Sequence, residues 1–133
     1  MDETTPMQNE ETFLYFKIGE SSYLISILDT QEVAEPPPIK PYPVPYPGHL
    51  GITNLHGQIV PVISMEQYGT ARSPNRLIVL RKQDTLFGFL CGAVKKVILP
   101  FEKYPRLQPS EVVDLEGGPA KLVTANALGR LEG

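Results

Sequence analysis

Leu50-Gly51-Ile52-Thr53-Asn54-Leu55-His56-Gly57-Gln58-Ile59-Val60-Pro61-Val62-Ile63 is the stretch that decides the fold of this 133-residue chain. Two apolar runs flank a polar pair, His56-Gly57. Glycine takes φ > 0 without steric cost, so the chain can reverse at Gly57. Leu50, Ile52 and Leu55 form the apolar set on the incoming side. Ile59, Val60, Val62 and Ile63 form a nearly continuous apolar run on the outgoing side, of the kind found in buried strands. Pro61 lies inside that run. It cannot donate to a ladder, so it predicts an edge position or a bulge. The stretch reads as a β-hairpin at the centre of a small β domain.

Outward from the hairpin, the same signals recur. Upstream, Thr12 to Ile18 reads as a strand, with Phe13 and Tyr15 on one face and Leu14, Phe16 and Ile18 on the other. Gly19-Glu20-Ser21 supplies a turn, and Tyr23 to Leu28 pairs back. Asp29 to Glu35 reads either as a single helical turn capped by Asp29 or as a short strand over Thr30 to Val33. Pro36 to Pro47 holds seven prolines in twelve residues. That density excludes a helix and a central strand, leaving an extended connector over the surface. The same stretch, with Tyr42 and Tyr46, also fits a preformed ligand for an aromatic-lined groove.

Downstream, Ser64 to Tyr68 reads as a helical turn ending at Gly69, and Thr70 to Asn75 as a polar loop. Arg76 to Lys82, Thr85 to Cys91 and Val94 to Phe101 read as three strands with turns at Gln83-Asp84 and Gly92-Ala93. Both faces of the first are apolar, which predicts a central strand. Val112 to Glu116 and Lys121 to Thr124 flank Gly117-Gly118, a further hairpin signal. Ala125 to Leu131 reads as a short closing helix. Eight to ten short strands at regular spacing predict an all-β barrel or sandwich. The predicted core includes Phe13, Phe16, Ile25, Ile27, Leu55, Ile59, Val62, Val79, Leu90 and Val97.

Composition narrows the function. The net charge of −3 argues against a nucleic-acid partner or an anionic membrane, both of which require a basic face. The lone cysteine, Cys91, excludes an internal disulfide. Met1 to Glu11 is polar and acidic, and is expected to be disordered and not a signal peptide. No apolar run is long enough to span a bilayer. A cytoplasmic, soluble protein is the resulting expectation.

No enzyme motif emerges: there is no phosphate-binding glycine loop and no nucleophile elbow. His49 and His56 lack the further ligands of a metal set, so no metal and no cofactor is expected. Cys91 lies in an apolar strand pattern and reads as a small core hydrophobe. Asp114 and Glu116 share a strand face but read as solvated acids.

The central residues also resemble the signature of the CheW family of chemotaxis coupling proteins. Gly51, Asn54, Leu55, Gly57, Ile59, Val60, Pro61 and Val62 match a Gly-x-x-Asn-Leu-Arg-Gly-x-Ile-Val-Pro-Val pattern. Phe13 to Gly19, Tyr23 to Ile27, Gln31-Glu32-Val33, Arg76 to Leu80 and Phe87 to Val97 resemble further family elements in the same order. The resemblance runs from about Phe13 to about Leu128. It implies a single CheW-like domain over residues 12–131, built as two small five-stranded barrels around a shared apolar core. It implies a non-enzymatic adaptor that links chemoreceptor cytoplasmic tips to the regulatory domain of a CheA-type histidine kinase. The partner-binding residues it points to are Glu32, Val33, Asn54, His56 and Gly57. Glu32 corresponds to the family's acidic residue on the receptor-facing surface. His56 stands where the family has the arginine placed opposite it, and Gly92 where the family often has aspartate. The alternative reading is a small-ligand or oligonucleotide-binding β-barrel with no chemosensory role, which would call for a basic stripe if the ligand were nucleic acid.

Overall fold

The computed structural model describes residues 10–44, 47–65, 68, 74–104 and 107–128. In chain order the elements are β1 (Glu10–Ile18), β2 (Ser21–Ser26), a 3₁₀ turn (Ile27–Asp29), β3 (Thr30–Ala34), β4 (Ile39–Lys40), β5 (His49–Leu55), β6 (Gln58–Ile63), β7 (Arg76–Lys82), β8 (Thr85–Pro100), β9 (Val112–Leu115), β10 (Gly118–Val123) and α1 (Ala125–Leu128). β1 begins at Glu10, two residues ahead of the expected start, so Glu10 and Glu11 extend the strand; residues 1–9 lie outside the described residues. Of the two forms expected for Asp29 to Glu35 the strand is present and the helical turn capped by Asp29 is not: a 3₁₀ turn lies just upstream and ends at Asp29, with Ser26 as its cap. Ser26 Oγ accepts the Leu28 amide and caps the 3₁₀ turn, and Thr30–Ala34 follows as a strand. No described helix is long and apolar enough to cross a membrane.

The strands form one ten-stranded sheet in the order β4-β5-β6-β8-β1-β2-β10-β9, with β7 paired to β8 and β3 to β7. The fold is all-β, as expected, and its strands fall into two lobes whose sheet is not closed by strand pairing among the described residues. Among the described residues the path from β4 to β9 stays open. The two lobes are half-sheets that share β8. One contains β3 to β7 with the first half of β8. The other contains β1, β2, β9, β10 and the second half of β8.

A bulge lets β8 serve both halves. Gly92-Ala93 was expected to be a turn, yet β8 runs through it for sixteen residues. Tyr15 pairs with Lys95 but Lys17 with Gly92, so β8 carries one extra residue there, and Ala93 has φ 54°. An extra residue bends a strand and raises its twist. Thr85–Lys82 through Cys91–Arg76 is the ladder to β7, and Gly92 to Pro100 the ladder to β1.

The apolar faces sort by strand parity. Leu14, Phe16 and Ile18 of β1 join Ile25, Ile78, Leu80, Phe87, Phe89 and Cys91 in a core shared by both halves, against which Ile27 and Val94 pack. Phe13, on the other face of β1, lies with Leu24, Leu99, Val113, Ala120 and Leu122 in a second cluster. Leu55, Val60, Val62, Leu77 and Val79 form the third. β7 is central, as expected, because Ile78 and Leu80 feed the shared core while Leu77 and Val79 feed the third cluster. Asp29 Oδ2 and Thr124 Oγ1 accept the Ala125 and Ala127 amides and hold α1 against the sheet; the remainder of the expected closing helix lies outside the described residues, as does half of the turn expected at Ser64 to Gly69.

Four core assignments need correction, and one of them is Ile27, which is only half-buried at the margin of the shared core. Ile59 is 59 % exposed, because strand alternation turns Val60 and Val62 inward and leaves Ile59 on the outer face with its partner Asn54. Leu90 and Val97 are only half-buried, at the margins of the third and second clusters. Leu50 is exposed as well. It is the extra residue of a bulge, since His49 pairs with Ile63 and Gly51 with Val62, so the inward face of β5 is Gly51, Thr53 and Leu55.

Candidate functional site

The hairpin signature is occupied mostly by backbone requirements. His56 and Gly57 both have positive φ, 54° and 84°. That is the signature of a two-residue turn whose twist matches its strands. Asn54 Oδ1 accepts the Gly57 amide at 3.0 Å, which satisfies a donor at the tip and fixes the turn. A side chain on Gly51 would place its Cβ 2.2 Å from the Lys40 carbonyl oxygen, so glycine is what allows β4 to lie against β5. Thr53, the buried polar residue of β5, donates its hydroxyl to Pro38 O at 2.8 Å and pins the proline-rich connector there. Pro61 needs no bulge. The pair closing a two-residue turn is hydrogen-bonded, and alternation makes Ile52–Pro61 a pair that exchanges no hydrogen bonds. On the other side β6 meets β8 only at Val62–Gly88.

The turn presents His56 to Glu32. Glu32 lies on β3 opposite Val79, so both point to the face of the third cluster, where Leu55 ends β5. Gln31 is the extra residue of a bulge between Thr30 and Glu32, and its Oε1 accepts from Arg81 Nε at 3.1 Å. His56 Nε2 and Glu32 Oε2 are 2.8 Å apart across 24 residues of sequence. A carboxylate only accepts, so Nε2 carries the proton. The side chains are 71 % and 33 % exposed.

Four of the five candidate residues therefore meet: Asn54 and Gly57 shape the tip, and His56 and Glu32 join across it. Val33 does not. It faces the other side of β3, opposite Ile78, and is 36 % exposed. Leu28, the end of the second predicted strand, is 85 % exposed. Ile59 belongs beside the tip as an exposed apolar neighbour that sequence reading placed in the core; period-two counting from Val60 and Val62 would have found it.

The other chemistry-bearing groups are engaged separately. His49 Nδ1 lies 3.3 Å from the Tyr42 hydroxyl, away from His56. Cys91 is fully buried, and that burial pushes its thiol from 9.0 up to about 12, with Arg76 acting in the opposite direction. Such a thiol is not a nucleophile at neutral pH. Among the described residues no three His, Cys, Asp or Glu side chains cluster to hold a metal.

Fold and tip together define an all-β domain that displays a rigid polar hairpin end and leaves its one thiol inert. Comparison with known proteins gives that class a family. The model of the CheW-like domain matches residues 12–103, and the chain belongs to the CheW-like family. The chemotaxis protein CheW of Helicobacter pylori is 33 % identical over 97 residues, which is 68 % of this chain and 59 % of that relative. The chain thus matches less than two thirds of that relative's length. The solved structure of the scaffolding protein TtCheW from Thermoanaerobacter tengcongensis aligns with a TM-score of 0.72 at 20 % identity, over 89 % of this chain and 91 % of that one, a likeness of fold.

Proposed function

We propose that this protein is a non-enzymatic cytoplasmic adaptor that couples chemoreceptors to a CheA-type histidine kinase, in chemotaxis or a related signalling pathway. The observation that carries the reading is the Glu32–His56 contact at 2.8 Å. It joins the two positions that the family resemblance assigns to the receptor-facing surface, and it does so with histidine in the place of arginine. Membership of the CheW-like family and the relatives named a chemotaxis protein and a scaffolding protein support it. In this reading Glu32, His56 and the exposed Leu28 and Val33 meet receptor helices, while the kinase's homologous regulatory domain binds elsewhere on the sheet. An exposed charge at a protein interface chiefly sets specificity and rate of encounter.

The test separates the two partners. Binding of Glu32→Lys to a receptor-tip fragment and to the kinase regulatory domain is measured by calorimetry. Receptor affinity is expected to fall about tenfold, equivalent to about 1.4 kcal/mol, with kinase affinity unchanged. Unchanged receptor binding by a folded Glu32→Lys protein would remove this surface from the assignment, and failure of the parent to bind either partner would remove the adaptor reading.

A further inference from the structure

We propose that the half-sheet built on β1, β9 and the second half of β8 holds a binding site for a small amphipathic carboxylate, with an aromatic or short aliphatic body. The site is a cavity of about 380 Å³ between the end of β8 and the β9–β10 turn. It does not rest on the adaptor reading, and it lies on the other half-sheet from Glu32 and His56.

Three observations define the occupant. The first is an apolar floor: Val97, Leu99 and Leu115 line the cavity, continuous with the cluster of Phe13, Leu24 and Val113. A volume of this size is in the range of small-molecule pockets, which are mostly apolar with a few convergent polar groups. The second is the pair of tyrosine rings at the walls, Tyr15 and Tyr104. Their hydroxyls are engaged elsewhere, with Ser22 Oγ at 2.8 Å and Asp114 O at 3.0 Å, so what they offer a ligand is ring surface. The third is charge. Lys95 Nζ lies 5.0 Å from the centroid of the Tyr15 ring, and Lys103 Nζ 5.6 Å from that of Tyr104. Cation–π contact of this kind holds an ammonium in place. Among the described residues neither lysine forms an ion pair. The rim therefore presents two ammonium groups against a single carboxylate, Glu116, in a chain that is acidic overall. An apolar body fits the floor, and an anionic head bridges the two lysines.

Indole-3-acetate is the probe, titrated into the full-length protein and followed by amide NMR. Saturable shifts confined to Lys95–Leu99, Tyr104 and Leu115–Gly117 are expected. Indole-3-acetamide, equal in shape and without charge, is expected to bind at least about tenfold more weakly, since a charge-assisted contact is stronger than a neutral one. The double variant Lys95→Gln/Lys103→Gln is expected to show the same loss, and Lys17→Gln, outside this cavity, none. No saturable shift at millimolar probe, shifts that map elsewhere, or equal binding of acid and amide would each overturn the proposal. If the double variant unfolds, the acid–amide comparison on the parent protein decides.

Discussion

Asn54 Oδ1 accepts the amide of Gly57 at 3.0 Å, and this bond holds the left-handed turn that carries His56 to Glu32. Two residues that match the family signature thus position His56, which departs from it, through the backbone. The first expectation follows from that dependence. Asn54→Ala should destabilise the fold by about 0.5–1.5 kcal/mol, the usual net value of one hydrogen bond. Gly57→Ala meets no neighbour within 4 Å, so its cost is conformational only, about 1–2 kcal/mol for a left-handed non-glycine residue. Urea unfolding of both variants measures these differences. A neutral Gly57→Ala would show that the turn adopts another conformation.

Gly51 is under a different constraint. Its Cβ would sit 2.2 Å from Lys40 O and 2.9 Å from Pro41 Cα, both backbone atoms that cannot rotate away. Gly51→Ala should therefore separate β4 from β5 and release the Thr53–Pro38 contact, with a loss on the order of 3 kcal/mol. Hydrogen exchange localises the effect: faster exchange confined to β4 and β5 is expected. An effect smaller than that of Gly57→Ala would contradict the packing argument.

Cys91 gives a pH dependence with a defined sign. The buried thiol holds its proton up to about pH 12, where the unfolded chain releases it near 9.0. Its contribution is fully present below pH 9.0. Between the two values the folded state binds more protons than the unfolded one, so stability falls as pH rises, by about 1.4 kcal/mol per pH unit from this group. Cys91→Ala should remove that slope while lowering stability at neutral pH through the cavity it leaves. Urea midpoints of parent and variant from pH 7 to 10.5, within about one unit of the reversible range, test the difference. Parallel curves above pH 9 would show that Cys91 ionises alike in both states.

Much of this fold was legible because local rules and burial agree. The His56-Gly57 reversal, the two-faced β7 and the proline-rich connector all follow from residue types at fixed spacing. Two of the errors share a cause, the one-residue register shift. Gly92-Ala93 looks like a turn in sequence, but β8 absorbs it as a bulge and carries on to pair with β1. Leu50 looks like core, but a bulge at its own position turns it out. Such shifts depend on which strands pair at long range, and one sequence does not specify that. The same limit applied to the sites. Glu32 and His56 were paired through a family resemblance, not through spacing. Lys95, Lys103, Tyr15 and Leu115 converge only because β1, β8 and β9 curl around one cluster.

The Glu32–His56 contact is expected to matter more for recognition than for stability. Both side chains reach solvent, and exposed pairs of this kind contribute about 0–1 kcal/mol. A double-mutant cycle isolates the coupling: Glu32→Gln, His56→Asn and the double variant, each measured by urea unfolding. Asparagine is the suitable replacement because it tolerates the positive φ that position 56 requires; a β-branched residue there would add backbone strain and obscure the pair. The coupling should not exceed about 1 kcal/mol. His56→Arg should keep a donor facing Glu32 and leave stability within about 0.5 kcal/mol of the parent, as for surface substitutions in general. In the receptor-tip assay His56→Arg is expected to bind at least as well as the parent and Glu32→Gln more weakly. If the cycle gives a coupling well above 1 kcal/mol while receptor binding is indifferent to both positions, the pair is a structural clasp between β3 and the hairpin, and the receptor-facing role assigned to it is wrong.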